Sequence, residues 1–214
     1  RGHKMKNSRH ARKFLKECAR NAPTYVSLGN HEWMLDSTDL KILASTGVTI
    51  LNNTYTSFQA GQKKVVIGGL SSGAYVAYHD YCSRLLPEEL EAELGPGQIY
   101  PPMRPVDNRL RESIPSTDWL DAFCNEEGYK ILLCHHPEYY PEYLFDLPID
   151  LILCGHAHGG QIRIFGQGLF APGQGILPKL TSGVTDGKVV ISRGLSNNTK
   201  VPRLFNPEEA VYII

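Results

Sequence analysis

Three short apolar segments of this chain each end in a cluster of polar residues. The clusters lie at 29–32, 135–137 and 155–161, directly after apolar runs at 25–28, 131–134 and 151–154. Together they hold five of the eight histidines. Apolar runs of this length are typical of buried strands, and open α/β sheets bind ligands at the carboxyl ends of their strands. The pattern therefore predicts one ligand site at which three strands end.

The regions around these runs alternate between helical and extended patterns. Ser8 precedes a helical stripe of apolar residues, and Ser116 precedes another. This alternation predicts an α/β layered fold with a mixed sheet. No linker separates two domains, so residues 1–214 are predicted to form a single domain. Helices are predicted at 8–21, 38–46 and from Ser116 onwards, and strands at 24–28, 48–51, 63–70, 129–134, 149–154, 188–192 and 210–214.

Residues 71–111 follow no clear period. They contain Gly95-Pro-Gly, a proline-rich stretch at 101–105 and four tyrosines. We predict that this segment forms a cap over the site. Its tyrosines are suited both to packing on a substrate and to packing within the protein, and this choice is open.

Composition narrows the class of function. Lys plus Arg equals Asp plus Glu at 22 each, so the chain has no net basic field, and no sequence-specific nucleic-acid partner is expected. No run approaches the ~18 apolar residues of a membrane-spanning helix. The five cysteines are scattered without a C-x-x-C pair, which favours reduced structural thiols over a zinc ribbon or a disulfide framework.

The three clusters carry residues suited to divalent cations. Imidazole nitrogens suit borderline cations, and the amide oxygen of Asn30 suits harder ones. His156 and His158 leave one short glycine-rich turn toward neighbouring positions. Alternation along a strand sends His135 and His136 to opposite faces, so only one of the two is expected to face the site.

Other polar residues give weaker signals. Isolated histidines at 3, 10 and 79 are more typical of structural residues. Glu32 is the acid that stands out beside a cluster, and its role is open between a metal ligand, a support for a ligand and an acid at a helix N-terminus. A mononuclear zinc site built from His135, His156 and His158 is also open, although no spacing singles it out.

The motifs resemble those of the calcineurin-like metallophosphoesterases, whose pattern is D-x-H, G-D-x-x-D, G-N-H-[DE], H and G-H-x-H in that order. Residues 29–32 match the third motif, His135 the fourth and 155–158 the fifth. The extension G-H-A-H-G-G-Q-I-R, with F-A-P-G-Q-G at 170–175, resembles the bacterial, often membrane-associated, phosphodiesterase branch. The resemblance implies a four-layer-type β-sandwich flanked by helices, and metal-dependent hydrolysis of a phosphodiester or phosphomonoester substrate.

The resemblance also implies a role for each matching residue. Asn30, His135 and His156 would bind one divalent ion and His158 a second, the metals being Mn, Fe, Zn or Mg. His31 would face the scissile phosphate as a general acid or a stabiliser of the transition state. A hydroxide that bridges the two ions would be the nucleophile.

The sequence departs from the family pattern at its start. The first two motifs are absent, and the first aspartate of the chain is Asp36. By family analogy the chain keeps three of four ligands for one ion and one of four for the other. We therefore predict an N-terminally truncated domain that holds one ion or none and has impaired activity. The loss of strands is also expected to expose sheet edges and to favour oligomerisation.

Two further questions stay open from the sequence. One alternative function is a metal-poor scaffold or binding module that keeps the fold without catalysis. The retention of five motif residues favours an enzyme, since a scaffold has no need of them all: Asn30, His31, His135, His156 and His158. Localisation is open between cytoplasmic and membrane-associated, the latter through an N-terminal segment outside this sequence.

Overall fold

A computed structural model describes residues 5, 8–32, 35, 37–73, 114–195 and 201–214. These residues divide into two compact units. The first unit holds the described residues up to Asn52, together with 71–73 and 114–116. The second unit holds Asn53–Leu70 and the described part of Thr117–Ile214. The single domain over 1–214 stays a prediction, and the cap segment 71–111 lies outside the described residues except at 71–73.

The first unit pairs two helices with a small parallel sheet. Its elements are α1 (Arg9–Asn21), β1 (Tyr25–Ser27), α2 (Ser37–Ala44) and β2 (Thr49–Leu51). Strand β1 pairs with β2 in parallel. Leu43 and Val48 are buried in a core against which Leu15 and Ala19 of α1 pack. The helices and strands predicted for this stretch are therefore confirmed.

The second unit is built on a six-stranded mixed sheet. Its strands are β3 (Thr54–Ala60), β4 (Lys63–Leu70), β5 (Tyr129–Cys134), β6 (Leu151–Cys154), β11 (Gly183–Thr185) and β12 (Val189–Ile191). They lie in the order β11-β12-β6-β5-β4-β3. The central pairs β4–β5, β5–β6 and β6–β12 are parallel, whereas both edge pairs are antiparallel. The α/β fold with a mixed sheet is confirmed.

The core of the second unit lies along the parallel strands. Val66, Leu132 and Ile152 are fully buried in it, and helix α3 (Leu120–Asn125) adds Leu120 and Phe123. The apolar runs of β4 and β5 follow from this position, because strands covered on both faces need apolar residues throughout.

The segment after β6 is rich in glycine and consists of turns and short hairpins. A 3₁₀ turn (His158–Gly160) precedes them, and no residue from 206 to 214 lies in a strand. The strand predicted at 210–214 is therefore wrong, since its apolar residues find no neighbouring strand. The hairpins of this segment pair β7 (Arg163–Ile164) with β8 (Gln167–Gly168), and β9 (Phe170–Ala171) with β10 (Gly175–Ile176).

In the described part of the chain no helix has the length and apolarity needed to cross a bilayer.

Candidate metal centre

Two of the predicted ligands meet where neighbouring strands of the second unit end. Strands β5 and β6 run in parallel with Leu133 opposite Leu153, so that their carboxyl ends lie side by side. The Gly155 N–H donates to the His135 carbonyl oxygen at 3.1 Å. The rings of His135 and His156 lie 5.0 Å apart between centroids, edge to face. Parallel pairing thus brings together two histidines that are far apart in the sequence.

His136 belongs to the same cluster. Its side chain is almost fully buried, and its ring lies 4.2 Å from that of His156 and 5.2 Å from that of His135. Both rings lie near that of His156, but only His136 belongs to the group of side chains whose ligand atoms lie within 4.8 Å of one another, so the expectation that one of the adjacent pair faces the site stays a prediction. Strand alternation does not apply to them, since β5 ends at Cys134 and the chain then turns.

Glu138 completes the cluster, although sequence reasoning had selected Glu32 and missed it. Its Oε1 lies 2.9 Å from His136 Nδ1 and 3.4 Å from His156 Nε2. Its Oε2 is buried and has no hydrogen-bond partner among the described residues. The signal was present in the sequence, since Glu138 is the first residue after the cluster at 135–137.

The position of Glu138 depends on a glycine in a distant turn. Gly173 has φ +74°, and a Cβ added there would lie 2.4 Å from Glu138 Oε1. Any other residue would push the carboxylate away from the two histidines. Backbone hydrogen bonds from Tyr139 and Tyr140 to the carbonyl oxygens of His136 and Pro137 form the turn that carries Glu138.

The three side chains His136, Glu138 and His156 fit a divalent ion. Their ligand atoms all lie within 4.8 Å of one another. Bonds of about 2.0–2.2 Å in a tetrahedral site place ligand atoms roughly 3.3 Å apart, close to the separations seen here. Imidazole and carboxylate together suit zinc, manganese and iron. The buried, unpartnered Oε2 is a further indication that the cluster can accept a positive charge.

The turn that carries His156 and His158 is held in an unusual backbone conformation. His156 and His158 have φ values of +56° and +47°, and Gly159 has +66°. The Asn206 side-chain amide donates to the His158 carbonyl oxygen at 2.7 Å and to that of Gln161 at 3.1 Å. A Cβ at Gly159 would lie 2.2 Å from Asn206 Oδ1, so this turn requires glycine. The hydrogen bonds fix the backbone of this turn at His158 and Gln161.

His158 lines a cavity. The cavity has a volume of about 170 Å³, and its other walls are largely apolar, including Ala157, Leu169 and Phe170. The different metal roles predicted for the two histidines of the G-H-x-H motif stay predictions.

Asn30 and His31 lie in the first unit, in the loop after β1. The Glu32 carboxylate accepts a hydrogen bond from the Gly29 N–H at 2.8 Å. Glu32 therefore supports the conformation of this loop. The Ser72 N–H donates to the Leu28 carbonyl oxygen at 2.8 Å. His31 is exposed, and Asn30 is half-buried. The joint site of Asn30, His31, His135, His156 and His158 stays a prediction.

The buried cysteines beside the cluster act as packing residues. Cys134 and Cys154 end β5 and β6, and both are buried without a disulfide. A hydrogen bond with Cys134 and burial raise the pKa of the Cys154 thiol well above its ordinary value. Because metal ligation needs the thiolate, this thiol is a poor ligand at neutral pH. The four described cysteines, at 18, 124, 134 and 154, form no disulfide with one another.

A sequence model of the calcineurin-like phosphoesterases matches residues 2–160, which is most of the chain. The chain therefore belongs to the calcineurin-like phosphoesterase family. Its α/β fold with a mixed sheet is the metallophosphoesterase-like fold, as the motifs at 29–32, 135 and 155–158 predicted.

Two curated proteins are similar to the chain in sequence. The phosphodiesterase YaeI of Escherichia coli is 26% identical over 154 residues, which cover 70% of this chain and 41% of YaeI. The uncharacterized protein YpbG of Bacillus subtilis is 40% identical over 90 residues, which cover 42% of this chain and 32% of YpbG. The chain thus spans about a third to two fifths of the length of these relatives.

Two solved structures are similar at low sequence identity. A putative 5'-nucleotidase from Staphylococcus aureus, in complex with alpha-ketoglutarate, has a TM-score of 0.44 at 13% identity, covering 95% of this chain and 42% of its own. The sulfate thiohydrolase SoxB of Thermus thermophilus, in complex with glycerol, has a TM-score of 0.42 at 14% identity, covering 83% of this chain and 28% of its own.

Proposed function

We propose that this chain carries part of the dinuclear centre of a phosphoesterase, which hydrolyses a phosphodiester or phosphomonoester. Family membership supports metal-dependent phosphoester hydrolysis, and the name of the relative YaeI favours a diester. The observation that carries the proposal is the cluster at the ends of β5 and β6, where the rings of His135 and His156 lie 5.0 Å apart beside a buried carboxylate.

The proposed ligands follow the family motifs. His135 and His156, together with Asn30, would hold one divalent ion, and His158 would contribute to a second. When bound, such a pair of ions polarises a phosphoryl oxygen and makes hydroxide available as a nucleophile at neutral pH. Mn, Fe, Zn and Mg all remain candidates, since the donors are imidazole nitrogen and amide oxygen.

Glu138 is one of three side chains that could hold an ion, but here it acts as a positioning residue, because the family motifs give the ligand role to His135 and His156. Its Oε1 is hydrogen-bonded to His136 Nδ1 at 2.9 Å and lies 3.4 Å from Nε2 of His156. We expect the Nε2 proton of His156 to face this oxygen, which leaves Nδ1 as the basic ring nitrogen available to an ion. Burial of the carboxylate strengthens the contact, because little water competes for either partner.

His31 supplies the proton in this proposal. Its ring is exposed at the end of the loop after β1, where a substrate has access to it. A protonated imidazole can donate to the leaving-group oxygen, and it can also stabilise the negative charge that develops on the phosphoryl oxygens. Glu32 fixes the loop through the Gly29 N–H and so holds His31 in place.

We further propose that the chain by itself holds one ion or none and hydrolyses slowly. It contains neither D-x-H nor G-D-x-x-D, the motifs that in the family supply the bridging carboxylate and further ligands. The alternative function, a metal-poor scaffold, is disfavoured by the preorganised cluster. A scaffold needs no buried carboxylate aimed at two histidines.

The test is the metal content per chain after incubation with Mn²⁺ and removal of the excess. We expect close to one ion in the wild-type protein and none in His156→Ala. His10→Ala is the matched control, because His10 is exposed on α1 and is expected to leave the content unchanged. Equal loading of wild type and His156→Ala would contradict the proposed site. No loading with any of the four metals would mean that the residues of this chain do not hold an ion by themselves.

A further inference from the structure

The cavity that His158 lines has a buried floor and an exposed rim. Ala157 and Gly160 are buried and form the floor, whereas Phe170 and Val201 are about half exposed and form the rim. The volume is about 170 Å³, and among the described residues no Asp, Glu, Lys or Arg lines the cavity. An apolar cavity of about 150 Å³ in a protein takes up benzene. The cavity therefore has the size and the polarity that suit one aromatic ring.

Hydrogen bonds hold the walls of this cavity in place without a ligand. The Leu169 N–H donates to the carbonyl oxygens of Gly160 at 3.1 Å and of Ile162 at 2.8 Å. The Gln161 side-chain amide donates to the Val201 carbonyl oxygen and so ties the rim to a buried wall residue. Gln161 itself has φ +60°, in the left-handed region that is unfavourable for a residue with a Cβ. Such strain persists where the surrounding structure fixes it, and it is concentrated at ligand sites.

Two walls of the cavity adjoin the metal cluster along the chain. Ala157 directly follows His156, which belongs to the cluster. Pro172 directly precedes Gly173, and the missing side chain of this glycine leaves room for the carboxylate of Glu138. These two connections come from distant segments of the chain. A ligand bound at the cluster would therefore lie beside the cavity.

We propose that this cavity, which we call the apolar ring pocket, holds an aromatic ring of the phosphoester substrate. His158, the ligand proposed for the second ion, forms one wall, so the phosphoryl group of the same molecule lies toward the ions. The ring packs against Leu169 and contacts the ring of Phe170, for which an offset or edge-to-face arrangement is favourable. The inference rests on the proposed function, because the ring belongs to the substrate of that reaction.

The polarity of the apolar ring pocket decides which rings it accepts. Burial of a benzene-like ring removes apolar surface from water and needs no polar partner. A nucleobase carries ring nitrogens and exocyclic groups, and these would lose their hydrogen bonds to water between largely apolar walls. Aryl esters of phosphate are therefore the expected substrates, in preference to nucleotides.

The first test uses the ring alone and needs neither a metal ion nor hydrolysis. Fluorobenzene is titrated into the protein and followed by fluorine NMR, and amide chemical shifts of the nitrogen-labelled protein locate the bound ring. We expect the wild type to bind, with the largest shifts at Ala157 and Leu169. Leu169→Trp should bind at least about tenfold more weakly, because its larger side chain fills the pocket.

Ile176→Trp is the matched control. Ile176 is 81% exposed on β10 and does not line the pocket, so its variant should bind fluorobenzene as the wild type does. Circular dichroism checks that each variant keeps its fold. Failure of the wild type to bind fluorobenzene would overturn the proposal, as would equal binding by a folded Leu169→Trp. Amide shifts confined to another part of the protein would overturn it whether or not this variant folds.

The second test joins the ring to a phosphate. Isothermal titration calorimetry with Mn²⁺ present compares phenyl phosphate with methyl phosphate. The wild type should bind phenyl phosphate about tenfold more tightly, and Leu169→Trp should bind the two about equally. Equal affinities in the wild type would overturn the assignment of the ring to the substrate. Metal content is measured on the same samples, so a failure of the proposed function appears as absent metal and not as absent binding of fluorobenzene.

Discussion

The residues predicted for one site differ in how firmly the chain holds them. In the second unit, His136 and His156 are buried, contact each other and share the carboxylate of Glu138. In the first unit, His31 is exposed at the end of a loop. Groups held by strands and a buried network are preorganised, whereas an exposed side chain on a loop is accessible to a ligand. The second unit is therefore suited to hold an ion, and His31 to meet a substrate.

The largest effect expected from this difference is a loss of hydrolysis rate without a loss of bound metal. His31→Ala should lower the rate of phosphoester hydrolysis about 10²–10⁴-fold and leave the metal content unchanged, because in the proposed mechanism the ring donates a proton and holds no ion. The assay is hydrolysis of bis(p-nitrophenyl) phosphate by the longest form of the protein that gives a measurable rate. His10→Ala should keep the wild-type rate. A loss of metal in His31→Ala would show that the loop also holds the ion.

A substitution in the core of the strand that leads to the cluster should mainly lower the stability of the protein. Leu132 is fully buried in β5, directly before the residues that form the cluster. Leu132→Ala is expected to lower the free energy of unfolding by about 2–5 kcal/mol, through lost burial and the cavity left behind. Urea denaturation followed by circular dichroism measures this loss. Val184→Ala on the exposed edge strand should change it by less than about 0.5 kcal/mol, and similar losses in both variants would contradict the assigned core.

Substitutions of Glu138 test whether this residue orients His156 or only packs beside it. Glu138→Ala should weaken the binding of Zn²⁺ or Mn²⁺ about 10–100-fold, since His156 loses the group that orients it. Glu138→Gln keeps an oxygen acceptor and should recover part of this loss. Isothermal titration calorimetry measures the affinity, and nitrogen chemical shifts of the labelled imidazole report the tautomer without any metal. Glu142→Ala, an exposed acid on the following turn, should bind as the wild type does. An unchanged tautomer in Glu138→Ala would refute the positioning role.

The smallest effect is expected in the tail, at Glu209. Burial raises the pKa of this carboxyl, but hydrogen bonds and charge from Arg193 outweigh burial, and the net pKa lies below the ordinary 4.5. A depressed pKa in the folded state adds stability above pH 4.5, and this contribution is lost as the pH falls through the folded value. The melting temperature should therefore fall less between pH 6 and pH 3 in Glu209→Gln than in the wild type. Parallel melting curves for the two proteins would contradict this assignment.

The sequence predicted the central strands better than the edges. Strands β4 and β5 end where their apolar runs do and begin two residues earlier, because burial demands a continuous run only in the covered part of each strand. Strand β3 was missed, since an edge strand with mixed exposure has no such run. The apolar residues at 210–214 predicted a strand that does not form. A strand needs a partner, and partners are not visible in a local pattern.

The candidate site shows the same division. The motifs identified His135 and His156, since both directly follow apolar runs. Glu138 was not predicted, because its role depends on the turn after β5 and on the close approach of its carboxylate to Gly173, far along the chain. Contacts between distant segments of this kind are set by tertiary packing, which spacing alone does not report.

The order of strands in the sheet has a consequence for synthesis. Strand β6 pairs with β5 on one side and with β12 on the other, and the whole glycine-rich segment lies between β6 and β12 in the chain. While the ribosome is still making that segment, β6 is an open edge with unpaired backbone groups beside apolar Ile152. Such long-range pairing is slow to form, and an open edge invites pairing with other chains. The nascent protein should therefore need a chaperone most in the interval before Val189–Ile191 emerges.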